Sequence, residues 1–262
     1  MKIARAALLM ALTAGCATSP TGRSQVMLVP DSQMNAMGSQ SFQQMKSQTP
    51  IESDAATNRY VQCVAMAVAR EAREQTNVSD WEVVVFRDKT ANAFALPGGK
   101  IGVHTGILPV AKTPGQLAAV LGHEVGHVIA RHGNERVSQG LVTQGGLGAL
   151  DAITSSHPRH GTMMALLGLG AQYGVLLPYS RTQESEADKI GLDLMARAGF
   201  DPHESVDLWK NMSAAGGGQP PQFLSTHPSH ETRIAALQAG IPGATATFDR
   251  ARASGRIPNC VR

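Results

Sequence analysis

Two histidines and a glutamate in the run His123-Glu124-Val125-Gly126-His127 are the residues whose types and spacing could do chemistry. On a helix of 3.6 residues per turn, His123 and His127 project from one face one turn apart, so both imidazoles can bind a single Zn2+. Glu124 lies about 100° round the helix, close enough to hold a water against the metal without ligating it. That division of labour suits hydrolysis: the metal activates water and polarises a carbonyl, while the glutamate takes the proton. The plainer reading is a polar helix face with two solvated histidines. Against it, Leu117, Val120, Leu121, Val125, Val128 and Ile129 make the segment strongly apolar. Polar groups buried in such a helix need partners, and a metal supplies them.

A catalytic zinc takes three protein ligands and keeps one position open. Glu184-Ser185-Glu186-Ala187-Asp188 offers the third ligand near the start of a second helix. Glu184 and Asp188 share a face at i and i+4. Glu184 is the expected ligand, and Asp188 is placed to accept a hydrogen bond from a ligand imidazole and fix its tautomer. The alternative is an acidic first helical turn favoured by the helix dipole.

The elements that must carry these residues are legible around them. Thr113, Pro114 and Gln116 give an N-cap, a first-position proline and a capping box for a helix reaching about His132. Ser180 and Gln183 give another box, opening a helix that ends at Ala198 before Gly199. His132, near the end of the first helix, reads as a cation favoured by the dipole. Upstream, helices are predicted from Asp31 or Ser32 and from about Thr57 to Gln75, the latter with Tyr60, Val61, Val64 and Val68 on one face. Met34, Met37, Met45, Met163 and Met164 read as core filler. Trp81 to Arg87, Asn92 to Leu96 and Lys100 to Thr105 read as short strands, the last two around Pro97-Gly98-Gly99. Pro97 suits an edge strand. His157 and His160 lie in a polar connector and read as solvated, and the glycine-interrupted run from Thr162 to Leu177 reads as a buried helix.

Composition bounds the rest. The chain has 262 residues, 42% apolar, 16% charged, with a net charge of +3, so it has enough apolar material for a core and is not disordered. The charge is neither large nor clustered, which argues against nucleic acid as a partner. The front end reads as an export signal: Lys2 and Arg5, then apolar Ala6 to Ala14, then Leu12-Thr13-Ala14-Gly15-Cys16, which is lipobox-like although Thr13 stands where an aliphatic residue is usual. The predicted organisation is a lipoprotein signal peptide over 1–15, a tether over 16–30 lipidated at Cys16, and a folded domain over 31–262. Ala17 after the cysteine favours the outer membrane, facing the periplasm. In that oxidising compartment Cys63 and Cys260 are expected to form a disulfide, the other arrangement being two separate buried thiols.

His123-Glu124-xx-His127, Glu184-xxx-Asp188 and the segment Asn92 to Gly99, in this order, resemble the HtpX/BepA/LoiP-type zinc metallopeptidases, a family that also includes the type-I CAAX prenyl protease. The resemblance covers roughly residues 55–240, and the LoiP-type lipoproteins are nearest in layout. It implies a gluzincin: one Zn2+ per chain on His123, His127 and Glu184, with Glu124 as the base. It implies that Asn92, Ala93, Phe94 and Ala95 lie on an edge strand that pairs with an extended peptide. Thr226-His227-Pro228 and Arg233 resemble the family's C-terminal histidine motif. There His227 either fills the fourth zinc position in a resting state or donates to the oxyanion. Arg233 either assists it or pairs with an acidic residue such as Asp188.

The resulting expectation is an α+β, zincin-like single domain, mostly helical, with a small sheet beside the HExxH helix. Its expected function is zinc-dependent endoproteolysis of unfolded or misassembled envelope polypeptides. The expected setting is the outer membrane, through the lipid anchor, with contact to outer-membrane assembly machinery. The alternative is a metal-bound scaffold without proteolytic activity.

Overall fold

A computed structural model describes residues 16–143, 179–215, 223, 225, 227 and 231–262. The expected signal peptide (1–15), His157, His160, Met163, Met164, the run 162–177, Thr226 and Pro228 lie outside them. In chain order the described elements are β1 (Cys16–Thr18), β2 (Ser24–Val26), α1 (Asp31–Gln48), α2 (Ala55–Glu71), a one-turn α3 (Arg73–Thr76), β3 (Glu82–Phe86), β4 (Ala93–Leu96) and β5 (Lys100–His104). A 3-10 turn (Thr105–Ile107) leads to α4 (Pro114–Ile129), α5 (His132–Thr143), α6 (Arg181–Arg197), α7 (His203–Ala215) and α8 (Glu231–Ala253). The architecture is α+β, with helices packed around a small mixed sheet.

Strand order is β3-β5-β4, with β3 parallel and β4 antiparallel to β5. The period of two along each strand divides the apolar side chains between two cores. Phe86, Phe94 and Leu96 face Met34, Met37, Phe42 and Met45 of α1. Val85, Ala93, Ile101 and Val103 join the larger core with α2, α4, α6 and α7. β4 is an edge, as Pro97 suggested. The predicted second helix ends earlier than expected, at Glu71, and the chain leaves α3 through Asn77 in the left-handed region (φ 53°).

α4 runs through the middle of the molecule and is buried along almost its whole length. The Thr113 side chain accepts from the Gln116 amide. Gln116 does not close the box on Thr113; its side chain accepts from the Lys112 amide instead. α4 stops at Ile129 because Arg131 takes a left-handed conformation (φ 57°), and His132 begins α5. The helix expected to reach about His132 therefore stops three residues earlier, and after a sharp turn His132 opens a further helix. α6 opens on the complete Ser180–Gln183 capping box.

α4 and α6 cross at unusually close range because glycines meet there. A Cβ on Gly126 would lie 2.8 Å from the Ala187 carbonyl oxygen, and one on Gly122 2.7 Å from that of Gly191. α8 closes over α6, and a disulfide joins Cys63 in α2 to Cys260.

Within residues 16–30, expected as a tether, residues 16–26 form an antiparallel hairpin whose register pairs Cys16 with Val26. Its Ser, Thr and Gly content is turn chemistry rather than linker chemistry: the Gly22 amide bonds back to the Ser19 carbonyl, with Gly22 at φ 93°. Ser19 and Gln25 are buried, and Arg23 reaches carboxylates on both α5 and α6.

Candidate metal centre

The crossing of α4 and α6 sets the site. α4 brings His123, Glu124 and His127 into the interior, α6 brings Glu184 and Asp188, and His227 approaches from the segment before α8. All six are buried. His123 Nε2 lies 3.1 Å from His127 Nε2 and 3.1 Å from His227 Nδ1. Glu184 Oε1 lies 2.9 Å from His227 Nδ1 and 3.4 Å from His127 Nε2, and Glu184 Oε2 lies 3.5 Å from His123 Nε2. One ligand atom from each of His123, His127, Glu184 and His227 falls within 4.8 Å of the others.

These separations fit a metal. Ligand atoms about 2.05 Å from a tetrahedral zinc are about 3.3 Å apart. Two imidazole nitrogens and a carboxylate that meet at this range in a buried site need a cation to satisfy them. The donor set, nitrogens with a carboxylate oxygen and no thiolate, suits one Zn2+.

Around the donors each imidazole has a second partner. His123 Nδ1 is 2.8 Å from Asp188 Oδ1, so it carries the proton and leaves Nε2 free to ligate. Arg233 donates to Asp188 Oδ1 (2.6 Å) and to Glu184 Oε2 (2.7 Å), with its guanidinium 3.6 Å over the Trp209 ring. Of the two roles open to Arg233, the geometry gives it the carboxylates. It orients a donor and a donor's partner.

Three residues at the site were not reached by sequence spacing. His132 Nδ1 is 2.8 Å from His127 Nδ1, and His132 Nε2 is 3.1 Å from Glu186 Oε2. A continuous helix would have put His132 about 140° round from His127; the turn at Arg131 brings it back. Glu186, read only as part of an acidic first turn, is buried in this network. The Tyr179 ring stacks on His127 at 3.9 Å and on His227 at 5.2 Å, with the Arg136 guanidinium over the ring at 4.3 Å. An aromatic just ahead of the Ser180 cap was the one available hint.

Electrostatics follow burial and neighbours. Burial pushes the Glu124 carboxyl up, against the pull of His227 and His123. Glu124 Oε1 lies 3.4 Å from His227 Nε2. It faces the donor cluster through His227 and accepts no hydrogen bond among the described residues. Burial holds His127 well below its usual range, so it is neutral and able to ligate. Burial would raise Glu184, but His227 and His123 outweigh it and keep the carboxylate ionised. Burial sends Tyr179 up to about 12.

A cleft of about 280 Å³ leads to His127 and Tyr179, bounded by α1, by Ala95, Pro97 and Gly98 of the β4–β5 hairpin, and by Val128 and Arg131. The Asn92 carbonyl accepts from the His104 amide, so Asn92 faces β5 and the pleat turns the backbone groups of Ala93 and Ala95 to the open edge. Asn92, Ala93 and Phe94 are themselves buried. What this strand offers outward is main chain.

Comparison with known proteins points the same way. Residues 55–241 match peptidase family M48, the grouping that the motif resemblance implied. The chain is 43% identical over 166 residues to "Mitochondrial metalloendopeptidase OMA1" of Schizosaccharomyces pombe, covering 63% of this chain and 48% of that protein. It is 32% identical over 241 residues to the Homo sapiens "Metalloendopeptidase OMA1, mitochondrial", covering 86% and 45%. It is 28% identical over 208 residues to the "Beta-barrel assembly-enhancing protease" of Escherichia coli (strain K12), covering 76% and 42%. The chain thus spans about half the length of the curated relatives it matches.

Proposed function

The chain belongs to peptidase family M48, and from that membership we propose that it is a zinc metalloendopeptidase that hydrolyses peptide bonds in extended polypeptides. The observation that carries this is the buried Glu124 Oε1, without a hydrogen-bond partner among the described residues, beside the His123, His127 and Glu184 donors of the four-residue cluster. When bound, zinc supplies Lewis-acid polarisation of a carbonyl and a lowered pKa for water.

The protein's own groups do the rest. Glu124 accepts the proton of the attacking water and returns it to the leaving amine. Asp188, fixed by Arg233, holds His123 in the tautomer that presents Nε2. The open edge of β4 pairs with the substrate backbone through Ala93 and Ala95. Main-chain pairing is indifferent to side-chain identity, which suits unfolded clients. The deciding experiment is degradation of casein by the zinc-loaded chain beside Glu124→Gln. Cleavage present in the first and absent in the second supports the reading, equal cleavage in both overturns it, and none in either turns to the closed centre described next.

A specific observation favours a second reading. His227 Nδ1 sits within hydrogen-bond distance of Glu184 and His123, where it closes off the donor set. A closed centre fits a latent enzyme or a metal-bound scaffold for outer-membrane protein assembly. Activity that appears only in His227→Ala identifies the latent enzyme; silence in both identifies the scaffold.

The setting we propose is the periplasmic face of the outer membrane, with Cys16 lipidated and misassembled envelope proteins as substrates. What supports it is the signal-like run before Cys16 and the relative named for β-barrel assembly; the relatives named mitochondrial point elsewhere. Detergent-phase partitioning that is lost in Cys16→Ser, with mass spectrometry of the amino-terminal peptide, tests the anchor.

A further inference from the structure

His127 has an unusual second partner. A ligand imidazole generally donates its outer N–H to a carboxylate or a carbonyl, as His123 does to Asp188. His127 Nδ1 faces another imidazole, that of His132, at 2.8 Å. Because His127 Nε2 is turned to the donor set, its proton sits on Nδ1. His132 Nδ1 must then be the acceptor, which puts the His132 proton on Nε2, 3.1 Å from Glu186 Oε2. Every hydrogen in the series His127 to His132 to Glu186 is fixed by the one before it.

Glu186 is fixed in turn by the amino-terminal hairpin. Thr21 Oγ1 donates to its Oε1, and Arg23 donates to Oε2 through Nε (3.2 Å) and Nη2 (3.1 Å). The same arginine grips Glu135 of α5 with both terminal nitrogens, and Gln25 donates to the Ala130 carbonyl at the end of α4. The hairpin therefore holds both sides of the turn that swings His132 under His127. Its buried groups at this contact, Ser19 and Gln25, are polar. A segment docked only for stability would bury apolar surface, since polar burial contributes little net and is costly when unmatched.

We propose that the hairpin β1–β2 is a built part of the metal centre, and that Thr21, Arg23, Glu186 and His132 are positioning residues that set the tautomer and ring orientation of His127 for zinc. This rests on the metal-site reading above. It also gives the residues next to Cys16 a direct mechanical line to a zinc ligand, which a tether would not have.

The test is zinc affinity of the full chain by competition with a chromophoric chelator, together with the visible absorption of the Co2+-substituted protein. His132→Ala is expected to weaken zinc binding by about 10–100-fold, the range for loss of a ligand's outer partner. His132→Asn, which keeps an acceptor for His127, is expected to recover part of that loss. The double variant Thr21→Val, Arg23→Gln touches no ligand and alters only the surface hairpin, yet is expected to weaken zinc several-fold and to shift the Co2+ bands. Zinc affinity and Co2+ bands unchanged in all three variants, with only melting temperature lowered, overturn the proposal. A parent chain that binds no zinc, or binds it equally as His123→Ala, instead overturns the metal reading and the proposal with it.

Discussion

Gly122 and Gly191 meet backbone to backbone where α4 crosses α6: a Cβ on Gly122 would lie 2.7 Å from the Gly191 carbonyl oxygen, and one on Gly191 2.6 Å from the His123 amide nitrogen. No side chain can give way there. This approach is what brings Glu184 within 3.5 Å of both histidines. Gly191→Val is therefore expected to push the helices apart, costing about 1–3 kcal/mol for overpacking. A displacement of about 1 Å at the donors should lower turnover about 10²-fold, with zinc content falling in parallel. Gly243→Ala in α8 is the control: its Cβ would meet nothing within 4 Å. It should leave zinc untouched and stabilise by up to about 1 kcal/mol. Metal analysis and thermal melts of the two variants check both halves.

Glu124→Gln separates chemistry from metal binding. The amide is isosteric, and Glu124 is not among the clustered donors, so zinc content should match the parent protein. Peptide hydrolysis should fall by at least about 10²–10⁴-fold, the usual contribution of a general acid–base group. Zinc lost together with activity would mean that Glu124 ligates, contrary to the geometry.

The parts of the site that could be read from sequence are those whose geometry is local. His123, Glu124 and His127 lie within two turns of one helix, and Glu184 and Asp188 share a face of another that announces itself by the Ser180–Gln183 box. The strands were legible for the same reason, through their β-branched runs and the Pro97-Gly98-Gly99 turn. His132 was not, because its place depends on a left-handed arginine at 131, a conformation no composition rule assigns to arginine. Glu186 and the hairpin were not, because their meaning lies in a contact spanning 165 residues. A Thr-, Ser- and Gly-containing stretch looks like a linker until its polar groups find buried partners. Arg233 had two possible roles in sequence, and only its distances to Asp188 and Glu184 choose between them.

The Cys63–Cys260 disulfide closes a loop with a sequence separation of 197. In the chain-entropy model such a closure contributes at most about 5 kcal/mol, and measured losses are commonly about 2–5 kcal/mol. Cys63→Ser, or reduction of the parent protein, should lower the melting temperature by roughly 5–15 °C at this chain length. The tail after α8 packs beside Cys63, with Gly255, Arg256 and Pro258 lining a surface pocket there. Proteolysis near Gly255 should therefore appear on reduction before any loss of zinc.

Acid should act on the hairpin through Glu135. Burial opposes ionisation of this carboxyl, but hydrogen bonds from Arg23, Gln183 and Gln25 outweigh it and hold it below the usual carboxylate range. A carboxyl depressed in the folded state stabilises above its unfolded value of about 4.3, and that stability is lost as pH falls through the lower folded value. Glu186, held at about 2 because hydrogen bonds from Ser19, Thr21, His132 and Arg23 outweigh its burial, acts in the same direction. Arg23→Ala reverses the sign for Glu135: a buried carboxylate without its cation is raised, so it destabilises most at neutral pH and least when protonated. The variant should be less stable than the parent by about 1–3 kcal/mol at pH 7, below the cost at a fully buried pair because Arg23 remains 26% exposed. The gap should narrow steadily as pH drops from 5 towards 3. Chemical denaturation of both proteins across that range measures it, and a gap that stays constant with pH would remove Arg23 from the account of what holds the hairpin down.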